Sequence, residues 1–99
     1  MSHALIDSYI EYLTVERSAP ENTITAYEND LRHFVSWLEE TGLQADHLLG
    51  EDLARYTSYC VQRKLKATSI GRCLSTIRQF YRFLLEEGLV HADPTRDMA

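Results

Sequence analysis

The chain has 99 residues, 44% of them hydrophobic and 25% charged, with four glycines and two prolines. These values are typical of one globular domain and exclude low-complexity, collagen-like and disordered proteins. The net charge of −5, taken alone, argues against nucleic-acid binding, because nucleic-acid-binding domains are usually basic.

Two helices are predicted in the first half of the chain. The first has an apolar stripe that ends before Ser18-Ala-Pro20 and comprises Leu5, Tyr9, Tyr12 and Leu13. The second has a stripe whose steps of three and four residues indicate one buried helix face; it comprises Ile24, Tyr27, Leu31, Phe34 and Leu38. We expect Ser18 or Asn22 to cap the second helix, with Ser18 and Glu21 at capping-box spacing, and Gly42 to end it.

Two further helices are predicted in the second half. The shorter one begins near Glu51 and Asp52, whose charges favour a helix start. Its apolar side comprises Leu53, Tyr56, Cys60 and Val61. The last helix runs from about Thr68 to Glu87 and ends at Gly88. Four helices with short connections predict an all-α bundle.

The predicted last helix has two different faces. One wide arc is apolar and comprises Ile70, Cys73, Leu74, Ile77, Phe80, Tyr81 and Leu84. The opposite arc comprises Thr68, Ser69, Arg72, Ser75, Thr76, Gln79 and Arg82, and Arg78 lies at the edge between the two. The polar arc offers cations, hydroxyls and an amide without an acid. Proteins use these groups to hold phosphates and to read base edges in a major groove.

The charges are segregated along the chain. Residues 1–52 carry a net charge of −9, residues 53–85 carry +7 without one acidic side chain, and residues 86–99 carry −3. Such asymmetry points to a polyanionic partner. The alternative is that the basic stretch packs against the acidic block within the same fold. The acid-free arc of the last helix favours nucleic acid, because a simply solvated face more often mixes both signs of charge.

No self-sufficient catalytic or metal site is predicted. Cys60 and Cys73 lack the spacing of a zinc site, so we interpret both as small core side chains. The four histidines are scattered and are expected at the surface, and the six tyrosines are expected to pack in the core with their hydroxyls at its rim. No phosphate-binding loop, nucleophile elbow or Cys–His dyad is present. We therefore expect no cofactor, no metal and no enzymatic activity of this chain alone.

The chain is expected to be cytoplasmic. No apolar run approaches the roughly 18–20 residues of a membrane span, and no signal-peptide pattern opens the sequence.

Two stretches resemble a known family. Residues 18–27 (SAPENTITAY), followed by Asp30-Leu31, resemble the opening of the second helix in the core-binding domain of tyrosine recombinases, closest to the Xer and phage-integrase branch. Residues 66–75 (KATSIGRCLS), with Ile77-Arg78 and residues 80–84 (FYRFL), resemble the last helix of that domain. The turn at 87–89 and Asp93-Pro94 are similar to its exit. The resemblance spans essentially the whole chain.

The resemblance implies a four-helix, SAM-like orthogonal bundle that forms one half of a clamp around double-stranded DNA. Residues 1–92 would be this core-binding domain, and residues 93–99 would begin the linker to an absent C-terminal catalytic domain. The domain would support DNA integration and recombination without performing the chemistry, and it would meet other recombinase protomers through the full-length protein. None of the six tyrosines matches the family's nucleophile. We expect the isolated domain to be monomeric and to bind DNA weakly.

The resemblance also implies which residues contact DNA. On the second helix, Thr23 matches a phosphate contact, while Thr25, Ala26 and Asn29 match positions that face the groove. Near and on the last helix, the matching positions are Lys66, Thr68, Ser69, Arg72 and Thr76. The polar arc adds Ser75, Gln79 and Arg82. Arg72 is the first candidate for a base or phosphate contact.

One departure concerns the second helix. Close relatives often carry two basic residues after the position of Tyr27, where this sequence has Glu28 and Asn29. Glu28 could weaken DNA binding, turn away from the groove, or pair with Arg32 four residues later.

The alternative function is a helical protein–protein module whose basic face docks an acidic partner.

Overall fold

Four α-helices make up most of the chain. A computed structural model describes residues 2–96, and within this range there is no strand. The helices are α1 (Ser2–Val15), α2 (Glu21–Glu40), α3 (Gly50–Gln62) and α4 (Ala67–Glu86), with a one-turn 3-10 helix at Ala45–His47 before α3. The predicted all-α class is confirmed. No helix within residues 2–96 is both long and apolar enough to cross a membrane.

The core forms around α4, which contacts each of the other three helices. The predicted stripes supply most of it. From α2, Leu31, Phe34 and Leu38 are fully buried, and from α4, Ile77, Phe80, Tyr81 and Leu84 are fully buried. The Tyr81 hydroxyl donates to the Ala45 carbonyl at 2.7 Å and ties the 3-10 turn to α4. These apolar contacts supply the main driving force for folding.

The buried arc of α4 is wider than predicted, because α1 packs along one of its sides. Tyr9 contacts the rings of Phe80 and Phe83, with centroids 5.6 and 5.3 Å apart. Phe83, which was not on the predicted apolar arc, is therefore buried. Thr76 lies seven residues before Phe83, on the same side of α4, and is 0% exposed. Its hydroxyl donates to the Arg72 carbonyl at 2.9 Å. The prediction that Thr76 lies on the exposed polar face is wrong.

The predicted helix ends are partly confirmed. Gly42 follows α2 with a φ of +74°, and the N–H of Leu43 bonds the Leu38 carbonyl at 2.8 Å, which ends the helix as expected. The predicted caps Ser18 and Asn22 are wrong. Pro20 occupies the N-cap without a side-chain bond, because its fixed φ and free carbonyl suit that position. At the start of α3, the Leu49 N–H donates to the Asp52 carboxylate at 3.0 Å.

Both cysteines are core side chains, as predicted. Cys60 and Cys73 are free thiols, 3% and 8% exposed. Val61, predicted on the same buried side of α3, is 59% exposed instead. It lies one residue, or about 100° of helix rotation, past Cys60. The packed side of α3 therefore ends at Cys60.

The segment after α4 packs back onto the start of α3. Thr95 is buried, and its N–H and hydroxyl both donate to the Asp93 carboxylate, at 2.8 and 2.6 Å. A side-chain carbon added at Gly50 would lie 3.5 Å from the Pro94 carbonyl. Pro94 of the predicted linker thus lies against the start of α3. Residues 97–99 lie outside the described residues.

Two glycines provide a matched test of the helix geometry. Gly71 is within α4 with nothing close to an added Cβ, so Gly71→Ala should stabilise the fold by about 0.5–1 kcal/mol. Gly88 has a φ of +72°, so Gly88→Ala should destabilise it by about 1 kcal/mol. Urea unfolding measures both free energies. Equal effects of the two substitutions would contradict this geometry.

Alkaline pH should weaken the fold through Cys73. Burial raises the pKa of the Cys73 thiol from 9.0 to about 12. The unfolded chain therefore loses this proton first, so the contribution to stability is complete below pH 9 and is lost between pH 9 and 12. Urea unfolding should show a slope for this group of up to about 1.4 kcal/mol per pH unit. In Cys73→Ala the fall should be shallower; an identical fall in both proteins would contradict the assignment.

Candidate nucleic-acid interface

The polar face of α4 is exposed for most of its length. Apart from Thr76, the residues predicted there are exposed or, for Ser69, half-buried: Thr68, Ser69, Arg72, Ser75, Gln79 and Arg82. Gly71 lies between Thr68 and Ser75 and is also exposed. The first half of this face therefore carries small side chains beside Arg72, and Gln79 and Arg82 follow further along α4.

A polar stripe on α2 borders this face. Thr25 and Asn29 are exposed, and Thr23 and Ala26 are half-buried. Asn29 lines a cleft of about 290 Å³ between α2, α3 and α4, together with Ser69 and Arg72. The structure thus brings predicted residues of the two helices to one site. We define the α2–α4 face as polar residues of α2, the two lysines of the turn before α4, and the polar residues along α4: Thr23, Thr25, Asn29, Lys64, Lys66, Thr68, Ser69, Arg72, Ser75, Gln79 and Arg82.

Two side chains of the cleft were missed by sequence reasoning. His33 lies one helical turn after Asn29 and lines the same cleft, so helical spacing could have identified it. Arg63 reaches the cleft from the end of α3. It donates to the Tyr59 hydroxyl at 3.1 Å and lies 5.5 Å from the centre of that ring. The spacing of four residues between Tyr59 and Arg63 could have indicated this cation–aromatic contact.

A double hydrogen bond joins the two helices at the cleft. The Arg72 Nε donates to Asp30 Oδ2 at 3.0 Å, and Nη2 donates to Oδ1 at 2.9 Å. The Asp30 side chain is 11% exposed and that of Arg72 is 51% exposed. The bond to Asp30 raises the pKa of Arg72. A nearly buried carboxylate requires such a partner, so this pair fixes α2 against α4.

The basic stretch is only partly neutralised within the fold. Arg72 pairs with Asp30, and Arg55 pairs with Asp52 at 3.5 Å. The interpretation that basic and acidic blocks pack together thus holds for these two arginines. Within residues 2–96, Lys64, Lys66 and Arg82 make no ion pair.

The cations before α4 adjoin a helix start. Lys64 adopts a φ of +61° in the tight turn between α3 and α4. Lys66 is the N-cap residue, without a side-chain cap, and no acid stands in the first turn of α4. The free N–H groups and the helix dipole at this end favour an anion. Lysines 64 and 66 therefore add to a locally positive potential.

Glu28 turns to α1 and pairs with Arg32. The Arg32 Nη2 donates to Glu28 at 3.0 Å and to Asp7 of α1 at 2.6 Å. Both bonds raise the pKa of Arg32. Of the alternatives for Glu28, the structure shows the pairing with Arg32, which directs this carboxylate to the junction of α1 and α2.

No group of three or more His, Cys, Asp or Glu side chains within residues 2–96 is arranged to hold a metal ion. Burial raises the pKa of Tyr9 to about 12 and also raises the pKa of Tyr56 and Tyr81. A nucleophilic tyrosine would need the opposite shift.

The sequence and the all-α fold agree with one family. Residues 6–88 match the phage integrase, N-terminal SAM-like domain. The chain belongs to this family.

Curated relatives refine the class to tyrosine recombinases. Over 95 residues, the chain is 36% identical to tyrosine recombinase XerD of Pseudomonas aeruginosa, and the match covers 96% of the chain and 32% of that relative. Also over 95 residues, it is 40% identical to tyrosine recombinase XerD of Rhizobium meliloti, and the match covers 96% of the chain and 30% of that relative. Over 92 residues it is 45% identical to tyrosine recombinase XerC of Pediococcus pentosaceus, covering 91% of the chain and 31% of that protein. The chain thus spans about a third of the length of these relatives.

The Asp30–Arg72 pair should be measurable as an energetic coupling. Arg72→Ala leaves a buried carboxylate without its partner, so it should destabilise the fold more than Asp30→Ala. The double variant should lose less free energy of unfolding than the sum of the two single variants. The difference is the coupling energy, which should be only about 1–2 kcal/mol because Arg72 is half-exposed. Urea unfolding of the four proteins gives this value. Strict additivity would contradict a pair that joins the helices.

Proposed function

We propose that this chain binds double-stranded DNA through the α2–α4 face, as the non-catalytic clamp domain of a site-specific tyrosine recombinase. The observation that carries the proposal is the exposed face of α4 from Thr68 to Arg82, which has no acidic side chain and adjoins Asn29 of α2. The neighbouring cations Lys64, Lys66 and Arg82 pair with no carboxylate within residues 2–96. Family membership supports the same function, because recombination requires a protein that holds DNA in place.

The shape of α4 suits a major groove. Its 20 residues make a rod about 30 Å long, and a major groove admits one α-helix. Thr68, Gly71 and Ser75 leave little side-chain bulk on the first half of the exposed face. The helix backbone can therefore approach the base edges closely.

The contacts divide by chemistry. Lys64, Lys66 and Arg82 carry full charges on flexible stems, which suits phosphates on the rims of a groove. The hydroxyls of Thr23, Thr68 and Ser69 can donate to phosphate oxygens as well. Amide, hydroxyl and guanidinium groups near the middle of the face are directed to the base edges. They belong to Thr25, Asn29, Arg72, Ser75 and Gln79. Phosphate contacts position the domain, and base contacts supply its sequence preference.

The chemistry of strand cleavage would reside in another part of the recombinase. In this proposal residues 1–92 form the clamp domain and residues 93–99 begin the linker, of which Pro94 lies against the start of α3. The buried tyrosines, with their raised pKa values, are poor nucleophiles. The domain orients DNA, while other protomers join through the full-length protein.

Salt dependence of DNA binding tests the phosphate contacts. If about five phosphates are neutralised, log K should fall with log salt with a slope of about −4.5. Lys66→Ala should weaken binding and make the slope shallower by about one unit. Arg72→Ala should change the slope by less, because Asp30 already neutralises part of that charge. Fluorescence anisotropy with a mixed-sequence duplex at three salt concentrations measures this.

A matched control separates the face from net charge. Arg96→Ala removes a cation that lies outside the α2–α4 face and should leave the slope unchanged. Equal slopes for all the variants and the parent chain would contradict the proposed face. Absence of binding at low salt, with a concentration-dependent dimer on size exclusion, would favour the protein–protein module instead.

A further inference from the structure

The Asp30–Arg72 bond uses only one edge of the guanidinium. Nε and Nη2 donate to the two carboxylate oxygens, so the pair is side-on. A guanidinium has five N–H donors in a planar fork. The N–H groups of its outer edge, one on Nη1 and one on Nη2, are not used by this bond. Arg72 therefore keeps a second pair of parallel donors.

This outer edge lies at the cleft rather than in the core. Arg72 is half-exposed while Asp30 is nearly buried, so the carboxylate lies on the inner side of the guanidinium. Asn29 and Ser69 line the same cleft, and Gly71 precedes Arg72 on the exposed face of α4 without a side chain. Because about half of the Arg72 side chain is exposed, a ligand can reach it from solvent.

The chemistry of the pair favours a base over a phosphate. Asp30 cancels much of the long-range charge of Arg72, which weakens its attraction to a phosphate. The bond to Asp30 leaves the geometry of the outer donors intact and removes much of the rotational freedom of the Arg72 side chain. Two parallel N–H donors match the O6 and N7 acceptors of guanine in the major groove. Preorganisation lowers the entropy lost on forming both bonds.

We propose that Arg72, held by Asp30, reads one guanine through its outer edge, with Asp30 as the positioning residue. This rests on the proposed function, since it requires that α4 enter a major groove. It assigns Asp30, a carboxylate at a DNA-binding face, a role in sequence preference rather than in repulsion.

Selection from a randomised duplex pool tests the proposal. The parent chain should enrich a site with one guanine preferred about 5- to 150-fold over the other bases. Arg72→Lys keeps the charge but lacks the fork, so this preference should fall below about threefold. Asp30→Asn should lose the same preference without weakening binding to other duplexes. Lys66→Ala is the control: it should weaken binding to all duplexes by the same factor and retain the preference for guanine.

Replacing the selected guanine by 7-deazaguanine tests the contact without altering the protein. Loss of the N7 acceptor should weaken binding by the parent chain about tenfold and leave Arg72→Lys unaffected. An unchanged affinity, or a guanine preference that survives Arg72→Lys, would overturn the inference and leave the pair a structural link or a phosphate contact. If the parent chain binds no duplex at low salt, the proposed function fails as well.

Discussion

The bond between Asp30 and Arg72 is the constraint on which the α2–α4 face depends. A carboxylate with little exposure would be costly without a charged partner, and the partner here comes from a helix 42 residues further along the chain. The bond fixes the register of α2 against α4 and so brings Asn29 beside Ser69 at one cleft. Because the pair lies at the surface end of the helix contact, it is both part of the fold and part of the site.

The remaining charges are arranged around that site. Arg32 draws Asp7 and Glu28 to the junction of α1 and α2, and Asp52 bonds the start of α3. These carboxylates are held by partners within the fold. The tight turn before α4 collects cations that no carboxylate neutralises within residues 2–96. A domain with a net charge of −5 can therefore present a locally positive face to a polyanion.

Helical periodicity was enough to predict four helices and most of the core, because amphipathic spacing reflects burial directly. It could not predict which sides of α4 would be covered. The contact of α1 with Phe83 widened the buried arc and took Thr76 into the core. Pairing of Asp30 with Arg72 also escaped prediction, since nothing in local spacing relates residues so far apart. The incorrect prediction of Ser18 as a helix cap has a different cause. Pro20 occupies the N-cap position of α2 and needs no side-chain hydrogen bond there.

The most direct test of the account is a titration of the isotope-labelled chain with duplex DNA, followed by two-dimensional NMR of backbone and arginine side-chain N–H groups. If the α2–α4 face binds DNA, the largest shifts should fall on Thr25, Asn29, Ser69 and Ser75 and on the Arg72 Nε–H. Residues of α1 such as Val15 should hardly move. Shifts concentrated on α1, with the α2–α4 face unchanged, would contradict it.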